Sequence, residues 1–137
     1  MFTFFDSLEP KRKVSLLSTL NLREKEYPVL ILSVNEVEVI VNTTERFINL
    51  SPPEITSLDY SEFEGHIGFS NVRKPGVGFD KAKAKFIKTD GCTCDFGLKK
   101  RNGGHIIWSI PTGKPGFGFW NVTKKCELIG RKYEIDK

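Results

Sequence analysis

A mainly β protein with flanking helices follows from three observations on this chain. Short runs of β-branched and aromatic residues recur from residue 28 to residue 110, each closed by Gly, Pro, Asn or Asp. Helical spacing of apolar residues is confined to the two ends. The 137 residues suit one compact domain, and a chain of that size buries roughly 70% of its unfolded surface. The expected form is a small antiparallel barrel or bent sheet of about seven strands with a C-terminal helix. One domain is expected over 1–137. It divides into an N-terminal helix and connector over 1–25 and a β domain with its closing helix over 28–130.

Ser7, Leu8, Glu9 and Pro10 read as a helix start, with a capping residue and an early proline. Leu8, Val14, Leu17 and Leu20 predict one apolar stripe over about three turns. Asn21 to Glu26 is a charged connector. The period then changes. PVLILS, VEVIVN, RFINL and EITSLDY read as strands, with Ser33-Val34-Asn35-Glu36 as a hairpin connection and Pro52-Pro53 as a sheet breaker or edge marker. Residues 63–79 read as a long loop. DKAKAKFIK predicts a strand with Lys81, Lys83 and Lys85 on one face and Ala82, Ala84 and Phe86 on the other. Asp90-Gly91 is a turn signal, and CTCDFGL returns with Cys92, Cys94, Phe96 and Leu98 facing inward. After a turn over Lys99–Gly104, HIIWSI is the next strand. Phe119, Val122, Cys126 and Ile129 recur at helical spacing, and Gly130 suits the end of that helix.

Net charge is +4, and nine Lys and Arg stand against three Asp between Asn71 and Arg101. That imbalance favours a polyanionic or acidic partner, and the competing reading is a solubilising face. Three cysteines with one C-x-C pair are not a disulfide framework. MFTFFDSLEPKRK has its charged and apolar residues in the wrong order for a secretory signal. No apolar run approaches the ~20 residues of a spanning helix. A cytoplasmic protein without a transmembrane segment is therefore expected.

Two stretches share a recipe. GHIGFSNVRKPGVGF at 65–79 and GHIIWSIPTGKPGFGF at 104–119 both run from GHI to KPG-x-GF, and they hold both histidines. Neither is a Walker or dinucleotide fingerprint. A glycine-rich turn ahead of the last helix has the backbone N–H groups to meet an anion, but turn-making is the commoner use of such residues. His66 and His105, with lysines nearby, form the inventory of a small metal-independent phosphodiesterase. Cys92, Cys94, His105 and Cys126 are the right types for a Cys₃His zinc set, with C-x-C in place of the usual C-x₂-C. A catalytic role for either histidine ranks below a structural one. No metal and no cofactor is expected.

TTERFINL followed by EITSLDYSEF resembles the bacterial PH-like pattern, in which a TT/TN-x-R strand precedes an I-x-x-I-x-Y-S-x-I strand. Thr43, Thr44, Arg46, Tyr60 and Ser61 carry the match, and the strand count and a closing helix with Trp120 look like the PH or GRAM arrangement. The resemblance covers residues 28–130 and implies a barrel-like sheet plugged at one open end by the helix. Phosphoinositide-binding PH domains resemble one another in a basic first hairpin; here that hairpin is Ser33-Val34-Asn35-Glu36, without Lys or Arg. The resemblance therefore does not carry lipid-phosphate binding to that place, and many members of the superfold are protein-binding platforms.

The reading that follows is a non-enzymatic binding or adaptor module. Its expected ligand-binding residues are Lys81, Lys83, Lys85, Lys99, Lys100 and Arg101, facing an acidic protein partner. Nucleic acid, or an anionic membrane surface, is the alternative partner for the same cations. The phosphodiesterase is the enzymatic alternative.

Overall fold

The computed structural model describes residues 2–74, 78–79 and 91–135. The chain forms two compact units, Met1–Asp59 and Tyr60–Lys137. Each is built on its own antiparallel sheet, five-stranded in the first and four-stranded in the second. Neither sheet closes into a barrel among the described residues.

The first unit is a meander. Strands β1 (Phe2–Phe4), β2 (Pro28–Ser33), β3 (Val39–Thr43), β4 (Arg46–Ser51) and β5 (Glu54–Asp59) lie side by side in chain order. Their β-branched runs suit a pleated surface, and each turn uses residues made for turning. Between β2 and β3, the Asn35 side-chain oxygen accepts from the N–H groups of Val37 and Glu38. Between β4 and β5, Pro52-Pro53 makes the whole turn through a cis bond and leaves β5 as an edge strand. A 3₁₀ turn (Phe5–Ser7) and helix α1 (Pro10–Leu20) follow β1. Proline takes the first helical position and Asn21 ends the helix in the left-handed region at φ 51°.

The helix region buries half of the stripe expected of it: Leu20 is in the core and Leu8 packs against it. Leu16 and Leu20 pack with Phe5, Ile31, Val39, Val41, Ile48 and Leu50, while Val14 and Leu17 are exposed. The adjacent pair Leu16-Leu17 allows two stripes, and the sheet selects the one spaced by four.

The second unit opens on a 3₁₀ turn (Tyr60–Glu62). It continues through β6 (Phe63–Lys74), β7 (Gly78–Phe79), β8 (Thr93–Lys100), β9 (His105–Pro111) and α2 (Lys114–Ile135). The sheet order is β7-β6-β8-β9. Residues 63–74, expected as loop, are a twelve-residue strand. The pairing of β6 with β8 shifts register at three places, and Gly68 sits at φ +113° beside one of them. Those irregularities absorb the glycines that made the stretch look like loop. The DKAKAKFIK strand, with Lys81, Lys83 and Lys85, lies outside the described residues. On β8 the expected alternation holds: Cys94, Phe96 and Leu98 are fully buried. Trp108 and Ile110 of β9 are opposite Phe96 and Cys94, and α2 contributes Phe119 and Cys126 to the buried set.

Candidate functional site

The histidines come first. On β6, His66 is paired with Leu98, whereas on β9, His105 is paired with Lys99. Leu98 and Lys99 are consecutive on β8, so their side chains project to opposite faces of one sheet. His66 therefore shares the buried face with Phe96, and His105 shares the exposed one. Two imidazoles that must act on one phosphate need a common face. This sheet does not give them one, and the phosphodiesterase reading loses its geometry.

His66 has a different employment. Its Nε2 accepts a hydrogen bond from the Trp120 indole Nε1 at 3.0 Å. Its ring lies 5.5 Å from that of Trp120 and 6.1 Å from that of Phe96, centroid to centroid. Phe69 sits 5.8 Å from Phe117 and 6.3 Å from Trp120. The first GHI segment thus meets the second KPG-x-GF segment, through an aromatic seam between β6 and α2. The Lys124 ammonium stands 3.6 Å over the Trp120 ring, at cation–π distance.

Helix α2 begins at Lys114, so the glycine-rich turn of the second copy is itself the first helical turn. Gly116 is buried there, and a Cβ on it would collide with the Pro111 carbonyl oxygen. Its glycine serves a close approach of chain to chain.

The thiols of Cys92, Cys94 and Cys126 are buried, and none forms a disulfide. Cys94 is on the buried face and His105 on the other, so the Cys₃His set is not assembled. Among the described residues no group of three or more His, Cys, Asp or Glu is placed to hold a metal ion. No helix among them is long and apolar enough to cross a membrane.

Of the expected cations, three fall on described residues. Lys99 is exposed on the outer face, 3.8 Å from Glu64. Lys100 is half-buried at the end of β8. Arg101 is half-buried in the turn: its Nε donates to the Ser61 carbonyl at 3.0 Å and its N–H to that of Glu62 at 2.9 Å. Arg101 thus ties the β8–β9 turn to the 3₁₀ turn, and it is the least suited of the three to reach a partner.

In the first unit Thr43 and Arg46 join Glu26 and Arg23 in a polar lock. Glu26 is 4% exposed, and four donors converge on its carboxylate. They are the Thr43 hydroxyl, the Arg46 Nε at 2.9 Å, the Arg46 Nη2 at 3.2 Å and the Arg23 N–H at 2.9 Å. Thr43 Oγ1 in turn accepts from the N–H groups of Glu45 and Arg46, both at 3.0 Å. Burial works to raise the Glu26 carboxyl, but the hydrogen bonds from Arg46, Arg23 and Thr43 and the Arg46 charge hold it below the usual carboxylate value. Nearby, Arg23 makes two bonds of 2.9 Å to Asp59; that hydrogen bonding outweighs desolvation and raises the guanidinium further.

An apolar groove, unforeseen in the sequence, lies in the same unit. Phe4, Phe5, Asp6, Leu17, Tyr27, Pro28 and Val29 line a hollow of about 460 Å³. Phe4 and Tyr27 are more than half exposed at its rim. The signal was Leu17, left over on the helix once Leu16 and Leu20 are buried.

Charge divides sharply between the units. Met1–Asp59 holds six Lys and Arg against nine Asp and Glu, a net of −3; Tyr60–Lys137 holds fifteen against eight, a net of +7. No protein-family model, curated protein or solved structure matches the chain.

Proposed function

We propose that this chain is a non-enzymatic binding module of PH-like type whose second unit takes an acidic protein partner. The observation that carries the reading is the segregation of charge, +7 in the second unit and −3 in the first. A field of one sign attracts an oppositely charged partner and speeds its encounter. The antiparallel sheets and the C-terminal helix bearing Trp120 support the PH-like assignment. The hairpin loop between β2 and β3 carries Glu36 and Glu38 and no cation, which favours a protein platform over a lipid-phosphate site there. The histidines add to the case against catalysis, one engaged by Trp120 and the other on the opposite face.

Lys81, Lys83 and Lys85 carry the proposal together with Lys99 and Lys100. The test compares the wild-type chain with a Lys81→Ala, Lys83→Ala, Lys85→Ala variant. Fluorescence anisotropy reads binding to labelled poly-L-glutamate and to labelled single-stranded RNA, from about 50 to about 300 mM salt. Selective, salt-sensitive binding of the acidic polypeptide, weakened about tenfold in a variant that keeps its circular dichroism, is the expected result. Unchanged binding by the folded variant rejects the basic surface. Equal or tighter binding of generic RNA replaces the protein partner with nucleic acid.

A further inference from the structure

We infer that the Trp120–His66 hydrogen bond is a proton-sensitive latch holding helix α2 to strand β6. An indole N–H donates and has no lone pair to offer. The 3.0 Å contact between Trp120 Nε1 and His66 Nε2 therefore requires an unprotonated Nε2, with the imidazole proton on Nδ1. An imidazolium carries a proton on both nitrogens and accepts nothing. Protonation would turn this contact into two donors facing each other, so the bond exists only while the ring is neutral.

The charged and titratable groups around His66 come from four elements. On α2, the Lys124 ammonium stands 3.6 Å over the Trp120 ring, the same ring that His66 contacts. On β8, the face turned to His66 is Cys94, Phe96 and Leu98, all fully buried and none charged. On β6, Glu64 is drawn toward Lys99, which occupies the other face. The 3₁₀ turn contributes buried Tyr60 and exposed Glu62. Only the neutral ring accepts, so the bond is lost wherever acid protonates the imidazole. The seam fastens one end of α2, and the same helix carries Lys114, Lys124 and Lys125. Acidification therefore loosens the element on which part of the unit's positive charge is mounted.

The two indole N–H resonances of the full-length chain, assigned with a Trp120→Phe variant, read the latch directly. As the buffer is acidified from neutral, the Trp120 signal should shift while that of Trp108 stays in place. Hydrogen exchange of the α2 amides, corrected for its intrinsic pH dependence, should quicken about tenfold at the acid end, the scale of one lost hydrogen bond. His66→Gln offers an amide oxygen that accepts without titrating, and it should hold the Trp120 signal constant across the range. His66→Phe keeps a ring in the seam but removes the acceptor, and it should give the fast-exchanging helix at every pH. A Trp120 resonance that ignores pH in the wild-type chain overturns the latch. So does a pH response that survives in His66→Gln, even if His66→Phe does not fold.

Discussion

Glu26 and Gly116 show how single residues decide local stability in this chain. Glu26 is a buried carboxylate with four donors, and removing one partner of such a set leaves the others unanswered. Glu26→Ala should cost about 3 kcal/mol, near the low end for a broken buried pair because the Arg46 side chain keeps 14% exposure. Urea unfolding at neutral pH measures it. The pH dependence has a definite sign. The folded-state carboxyl is held below its unfolded value, so the contribution is fully present above the unfolded carboxylate range and fades as pH falls through the folded value. The difference in unfolding free energy between wild type and Glu26→Ala should therefore shrink from neutral to strongly acidic buffer. Gly116→Ala should lower stability by about 1–3 kcal/mol, the usual range for an overpacked site, since its Cβ would collide with the Pro111 carbonyl. A thermal melt checks it. The recurrence of KPG-x-GF was visible in the sequence. What was hidden is that the first glycine of its second copy is chosen by a carbonyl in the preceding strand, because a contact between elements leaves no mark on local spacing.

At the scale of elements, α1 offers the cleanest contrast. Leu16→Ala should cost about 3 kcal/mol, as truncation of a buried leucine does, whereas Val14→Ser should change stability by less than about 0.5 kcal/mol. Chemical denaturation of both variants tests which stripe is buried; equal costs would contradict the packing. Position and length of this helix were legible from Pro10 and from apolar spacing, and so was Leu20 on its buried face, but Leu16 was not. The choice between Leu16 and Leu17 belongs to the sheet beneath. Strands β2 to β5 were legible from alternation and turn residues, as was the inward face of β8 through Phe96 and Leu98. Strand β6 was not, because register shifts and four residues of Gly-His-Ile-Gly disguise a period of two. Strand β1, three residues long, is too short for any period to show.

Taken as a whole, the molecule is a net +4 chain made of a −3 half and a +7 half. Retention on an immobilised polyanion such as heparin should follow the second half, and it should fall as salt screens the field over a Debye length of about 8–10 Å. If the Lys81, Lys83, Lys85 variant eluted at the wild-type salt concentration, the cations that matter would lie elsewhere. The basic stretch from 71 to 101 was legible at once. The acidity of the first half became meaningful only when the chain divided at residue 59, because a net charge acquires a location only once compact units are known. The two imidazoles, equal in sequence, were separated by a single step of register, Leu98 against Lys99.

The meander of the first unit has a kinetic consequence. Each of its strands is paired with a neighbour in sequence, except that β1 waits for β2 across the helix. The second sheet instead joins β6 to β8, bringing Phe63 against Lys100. Short loops close faster than long ones, so hairpins β2–β3, β3–β4 and β4–β5 should acquire amide protection first after dilution from denaturant, and during synthesis before the later residues have emerged. Pulse-labelled refolding that protects β6 and β8 ahead of β3 and β4 would reverse that order.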